Sequence, residues 1–193
     1  SLFTHGDMFE VGPDTGPLPE SVHEILEYSI LASQRDPFDP MDKAFTTLGQ
    51  RRLAETEHLH PDWTSVRQYP LSPALLAISQ VWVSPQGTEH VIAAKGAYEA
   101  IVDLCHLSEA QAGEIRARAE AMAGDGLRVL GVAKATFRSN PLPKQQHDFE
   151  FELVGLVGLA DPIRPAVPGA IAECYSAGVR VVSVTTSGKP TML

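Results

Sequence analysis

Residues 75–96, LLAISQVWVSPQGTEHVIAAKG, set two apolar runs on either side of a polar turn at 84–88. A connection that short returns the chain antiparallel, because a parallel partner needs a crossover of about a dozen residues or more. The fold must therefore contain a hairpin, and the other apolar runs have to be fitted around it. VRQYPLSP (66–73) before it is extended and punctuated by proline. LRVLGVAKATF (127–137) and FEFELVGLVGLADP (149–162) after it also have strand character.

Helical spacing interrupts these strands. ESVHEILEYSILAS (20–33) repeats Val22, Ile25, Leu26, Ser29 and Ile30 on one face. A second helix is expected to start at Pro40, where proline suits the first turn and Asp42 favours the positive end of the dipole. YEAIVDLCHL (98–107) and SEAQAGEIRARAEAMAGDG (108–126) read as two more, the latter stopped at glycine. Residues 1–19 are rich in Gly and Pro and show little periodicity. From 165 the pattern changes: PAVPGAIAECYSAG reads as a helix stopped by Gly178, and VRVVSVTT as an aliphatic strand. Strand, helix and fully apolar strand together suggest a parallel crossover unit. The expectation is an α+β domain over 1–150, an antiparallel sheet flanked by helices, followed over 151–193 by the start of a parallel α/β domain too short to close its own core. On that reading the chain is a piece of something larger.

A formal net charge of −9 and a pI near 5.2 argue against nonspecific nucleic-acid binding, which rests on neutralising phosphates, but not against a small anion held by a few donors. No apolar run approaches the roughly 18 residues of a membrane span. Cys105 and Cys174 make no disulfide framework, which favours a reducing compartment.

Against this background Lys95 stands out. It ends a run that reads as a buried strand, where the sheet opens to solvent, and Gly96 beside it lets backbone approach a ligand. The plain alternative is a lysine capping a hairpin. Arg128 opens the next strand, where a guanidinium pairs with a phosphate or simply faces water. Tyr69 is either core or a stacking surface. Asp39 and Asp42 suit helix capping. His58 and His60, in EHLHP, lack partners at structural-zinc spacing and read as solvated loop histidines, so no metal site is expected. No phosphate-binding G-x-x-x-x-G-K-[ST] loop, no G-x-S-x-G elbow and no nucleophile with a base occur, so no catalytic residue is assigned.

The ordered set DPFDPMDKAF, YPLSP, KGAYE, GLRVLGVA and GLADPIRPAVPGAIAECYSAGVRVV resembles the cytoplasmic insertion of cation-transporting P-type ATPases over nearly the whole chain. KGAYE is similar to that family's KGAPE, and DPIRP to its DPPR. The resemblance implies a nucleotide-binding domain followed by the start of a haloacid-dehalogenase-like phosphorylation domain. Residue by residue, it implies that Lys95 and Gly96 line an adenine pocket, that Tyr69 stacks on the base, that Asp42 approaches the adenine amino group, and that Arg128 lies beside the phosphates. Asp161 and Arg164 match the hinge motif. ATP, with Mg²⁺ in the parent enzyme, is the implied ligand, and the implied partners are the remaining phosphorylation, actuator and transmembrane domains. The chain is then a monomeric cytoplasmic domain of an integral membrane protein. Departures from the family are Tyr98 in place of proline, no second pocket lysine in LSPALLAIS, no DKTGT around a phosphorylatable aspartate, and TTSGKPTML in place of TGDxxxTA. These leave a competing expectation: a nucleotide-binding-type module that has lost affinity and serves a regulatory or interaction role.

Overall fold

The computed structural model describes residues 1–12, 15–87, 89–160, 166–184 and 190–192. Its elements are β1 (Leu2–Thr4), β2 (Asp7–Phe9), α1 (Glu20–Leu31), α2 (Pro40–Arg52), β3 (Thr64–Tyr69), β4 (Ala77–Val83), β5 (His90–Gly96), α3 (Tyr98–Leu104), α4 (Glu109–Gly124), β6 (Leu127–Phe137), β7 (Glu152–Ala160), α5 (Ala166–Ser176), β8 (Val182–Val184) and β9 (Pro190–Met192).

The hairpin at 75–96 is the frame of the sheet. β4 and β5 pair in unbroken antiparallel register from Ala77 opposite Gly96 to Val83 opposite His90. β6 adds to β5 and β7 to β6, giving a seven-stranded sheet in the order β2-β1-β7-β6-β5-β4-β3. Residues 1–19, expected to be irregular, supply the two outer strands β1 and β2. Three-residue strands offer too little alternation for a periodicity signal to register.

The central strands are apolar throughout because helices cover both faces. Along β5, Ile92 and Ala94 pack with Ala100, Ile101 and Leu104 of α3. Ala93, alternating with them, packs with Leu31 at the end of α1 and with Trp82. Farther along the sheet, α1 and α2 bring Val22, Ile25 and Phe45 onto Leu130, Val132 and Val157, while α4 brings Ala119 and Met122 onto Leu156. So one face carries α1 and α2, and the other α3 and α4. A continuous apolar strand is what two covered faces demand.

The helix starts follow local chemistry. Asp39 caps α2 by accepting from the Met41 amide at 2.8 Å, Pro40 occupies the first turn, and Arg51 and Arg52 close the last one. Ser108 and Gln111 form a capping box on α4, and Gly126, at a φ of +80°, turns the chain from that helix into β6.

The chain divides into two compact units, Ser1–Ala160 and Asp161–Leu193. The division falls after Ala160 and not at 150, because β7 is an inner strand of the sheet. In the second unit β8 pairs antiparallel with β9, so the parallel crossover expected there is not what the described residues show. None of the side chains of α5 is buried.

Candidate functional site

Lys95 lies one residue from the end of β5, opposite Ile78 on β4 and Val132 on β6. Alternation from Ala93 directs it to the face covered by α1 and α2. There its ammonium donates to Ser33 Oγ at 2.5 Å and to Asp42 Oδ1, and lies 5.1 Å from the centre of the Phe45 ring. Each partner has a reason to be there. Ser33 follows the last turn of α1, where its hydroxyl donates to Ser29 O at 2.8 Å and keeps a lone pair for the lysine. Asp42 and Phe45 stand three apart on α2 and share a face, fixed by the Asp39–Pro40 start. The second oxygen of Asp42 accepts from the Gln34 amide at 3.4 Å.

The pair is nearly enclosed: the side chains of Lys95 and Asp42 are 6% and 14% exposed. Burial pulls the Lys95 ammonium below the usual lysine range, and Asp42 opposes that pull through its hydrogen bond and charge. An ammonium and a carboxylate held at one point offer both a donor and an acceptor to a heterocycle. On the Lys95 face of the sheet Ile78 is half-buried and can offer such a ring an apolar contact, whereas Leu130 is buried beneath α1 and α2.

The other expected residues divide. Gly96 is required by packing: a Cβ there would come within 2.2 Å of Leu76 O and 2.6 Å of Ala77 Cα. The glycine therefore lets β4 and β5 approach. Arg128 is on the same face as Lys95 and exposed, four residues along β6 from Val132, or about 13 Å at normal strand rise. Tyr69 is a correction. It pairs with Ser79, and its side chain enters the cluster under α3, edge-on to Phe149, with its hydroxyl donating to Pro143 O at 2.6 Å. It is on the opposite face of the sheet and cannot stack on a ligand held by Lys95. Asp161 and Arg164 lie outside the described residues.

Sequence reasoning missed Ser33, Phe45 and Ile78. Phe45 was legible as the residue three beyond Asp42, on the same helical face. Ser33 was not, since its role depends on where α1 ends relative to β5. Exposed apolar side chains also adjoin this corner. Phe38, 90% exposed, precedes the α2 cap, and Leu71 and Leu76 flank the tight turn closed by Ser72 and Leu75. The Leu76 carbonyl accepts from Ala97, next to Gly96.

Two cavities flank the Lys95 pair. One of about 750 Å³ runs along α2 and includes Lys43, Phe45, Arg51 and Leu159; the other, of about 370 Å³, includes Ser33, Gln34, His58, His60 and Trp82. Phe45 borders the first and Ser33 the second, while Lys95 and Asp42 themselves line neither. The histidines are a second correction. They are not solvated: His58 bonds Glu27 and Glu20, and His60 bonds Glu27, carboxylates that α1 delivers from 30-odd residues away.

Residues 39–166 match the family model described as P-type ATPase, cytoplasmic domain N. Over 157 residues, 76% of this chain and 15% of the relative, the chain is 31% identical to the sodium/potassium exporting P-type ATPase cta3 of Schizosaccharomyces pombe. It is 27% identical to the probable cation-transporting ATPase F of Mycobacterium bovis, covering 93% of this chain and 22% of the relative. It is 35% identical to the sodium/potassium-transporting ATPase subunit alpha-2 of Rattus norvegicus, over 57% of this chain and 12% of the relative. The chain thus spans less than a quarter of the length of these curated relatives, and no helix among the described residues is long and apolar enough to cross a membrane. The matched segment contains α2, the hairpin and the whole Lys95 site, and the chain belongs to the P-type ATPase family, whose cytoplasmic domain N it carries.

Proposed function

We propose that this domain binds ATP at the Lys95–Asp42 corner and presents it to a phosphorylatable aspartate outside this chain, as part of an ATP-hydrolysing cation translocase. The observation that carries the reading is the buried pairing of Lys95 with Asp42 on a sheet face that also bears Arg128. Asp42 offers an acceptor to the amino group of a base, Lys95 a donor to a ring nitrogen, and half-buried Ile78 an apolar contact. Arg128 stands far enough along the strand to meet the phosphates of an extended nucleotide. ATP supplies the phosphoryl group, with Mg²⁺ in the parent enzyme. This chain's residues bind and orient, and carry neither nucleophile nor Mg²⁺ ligands, so the isolated chain does not turn ATP over. The remaining phosphorylation, actuator and transmembrane domains are the partners, the described domain being the cytoplasmic part of a membrane protein and monomeric by itself. The residues after Ala160 belong to the hinge and the start of the haloacid-dehalogenase-like phosphorylation domain.

The test is titration of the chain with ATP, with and without Mg²⁺, followed by amide NMR. Shifts centred on Asp42, Lys95, Gly96 and Arg128, a dissociation constant from micromolar to millimolar (about 4–8 kcal/mol) and weakening in Lys95→Ala support the reading. Flat spectra at high millimolar ATP refute it, and sustained phosphate release from the pure chain refutes the division of labour. A second reading, a module of this fold without useful nucleotide affinity, is favoured by one observation. The Lys95 ammonium already has Ser33, Asp42 and the Phe45 ring around it, and LSPALLAIS (71–79) offers no second cation. Flat spectra from a chain that is folded by amide dispersion would establish that second reading.

A further inference from the structure

We propose that Glu20, His23 and His58 form a zinc site that clasps the start of α1 to the loop following α2. Glu20 and His23 stand one turn apart on α1, and His58 comes from that loop. One ligand atom from each lies within 4.8 Å of the others, two imidazole nitrogens and a carboxylate, which is a donor set zinc accepts.

The hydrogen bonds around the histidines select the nitrogens. His23 Nε2 lies 3.0 Å from Leu18 O, and a carbonyl only accepts, so Nε2 carries a proton. In the neutral ring the lone pair is then on Nδ1. That atom is buried, on a side chain only 10% exposed, and has no hydrogen-bond partner. Glu20 Oε2 is 3.0 Å away but not in hydrogen-bonding geometry, so proximity does not satisfy it. His58 is arranged the same way from the other side. Its Nδ1 faces Glu27 Oε2 at 2.5 Å, leaving Nε2 directed at Glu20 Oε1 at 2.9 Å. Glu27 is itself held by His60 Nε2 at 2.7 Å, and its side chain is 12% exposed. A buried carboxylate on the far nitrogen of a ligand histidine is the outer-shell arrangement that fixes ring orientation and raises ligand basicity.

The geometry needs little change. Tetrahedral zinc with bonds of 2.0–2.1 Å keeps its ligands about 3.3 Å apart. Glu20 is already near that distance from both rings, which meet edge to face with centroids 5.2 Å apart. Its side chain is 75% exposed, so it can adjust, and the open side of the site faces water, which completes the coordination. A hard ion such as Mg²⁺ prefers oxygen ligands and gains nothing from the two imidazoles.

The experiment is calorimetric titration of the 193-residue chain with Zn²⁺, and separately with Mg²⁺, alongside Zn²⁺-dependent thermal melts. The expected result is one Zn²⁺ per chain at micromolar affinity, no response to Mg²⁺, and a Tm that rises with Zn²⁺. Glu27→Gln, which removes no ligand, weakens Zn²⁺ roughly 10–100-fold, and His23→Ala weakens it further. His147→Ala, in a separate histidine pair with His106, leaves it unchanged. Should His23→Ala fail to fold, Glu20→Gln on the exposed side chain carries the same test. Zn²⁺ binding that survives both His23→Ala and Glu20→Gln, or that is lost in His147→Ala, overturns the assignment, as does a wild-type chain that takes up no Zn²⁺ at millimolar concentration.

Discussion

The Lys95–Asp42 pair allows a prediction whose size and sign both follow from the structure. Breaking a buried ion pair by removing one partner costs about 3–5 kcal/mol, because the other charge is left without compensation. The two survivors here are not equivalent. In Lys95→Met the remaining carboxylate keeps some solvent, the Gln34 amide and the positive end of α2, the last worth about 0.3–1 kcal/mol. In Asp42→Asn the remaining ammonium is more enclosed and keeps only Ser33 and the Phe45 ring. So Asp42→Asn costs about 3 kcal/mol and Lys95→Met about 2. The double variant falls short of their sum by roughly 1–3 kcal/mol, the range for residues in direct contact. The pH dependence has a definite sign. Burial lowers the folded pKa of Lys95 below its unfolded value, so the unfolded chain binds more protons in the window between the two. Stability therefore rises with pH as Lys95 loses its proton. In Asp42→Asn, which deletes the opposing influence, the deficit shrinks as pH is raised toward the unfolded lysine pKa. Urea titration read by tryptophan fluorescence is the assay, since both tryptophans, Trp63 and Trp82, belong to the sheet unit and Trp82 is buried against α1. At a slope of roughly 1–3 kcal/mol per molar, a 3 kcal/mol loss moves the midpoint by at least about 1 M. Strictly additive single variants, or a deficit in Asp42→Asn that grows with pH, would falsify the buried-pair account.

Three further outcomes can be checked with the same preparation. Gly96→Ala is expected to cost at least about 2 kcal/mol, because its Cβ meets β4 backbone that cannot step aside, whereas Gly113→Ala on α4, with open space around it, should gain about 0.5–1 kcal/mol in the same titration. Tyr69→Phe loses the bond to Pro143 O, about 1 kcal/mol, and leaves nucleotide titration curves unchanged; a weakened curve would put Tyr69 on the ligand side after all. Burial, with a smaller contribution from Glu152, pushes the Cys105 thiol up to about 12 from 9.0, which leaves roughly a thousand-fold less thiolate at pH 8 than an ordinary cysteine. In a Cys174→Ser chain, disulfide-exchange reagents should modify Cys105 only as fast as the domain opens, and rapid modification of folded protein would contradict that.

What the sequence revealed, and what it hid, separates along one physical line. Strongly periodic segments were legible: the hairpin, the Pro40 start of α2 and the glycine stop of α4 each follow from chemistry within a few residues. Features that depend on two distant segments meeting were not. Two short strands at the start of the chain exist because β7 offers β1 an edge and β1 offers one to β2, not because LFT or DMF prefers to be extended. His58 and His60 read as solvated because their carboxylates come from α1, which no spacing within EHLHP can show. Of the residues expected at the candidate site, Lys95 and Arg128 share a face of the sheet and Asp42 packs against it, while Tyr69 is on the other face, and the reason is parity. Residues opposite one another across a sheet share a face, and neighbours along a strand do not. Tyr69 is opposite Ser79, and Lys95 is opposite Ile78, one residue away. A single step along β4 therefore decides whether an aromatic ring stands beside the lysine or beneath the sheet, under α3. The apolar surface next to Lys95 must come from residues in phase with Ile78 and Val132; Val132 and Leu130 are buried beneath α1 and α2, which leaves half-buried Ile78 as the position where a change of shape would be felt by a bound base.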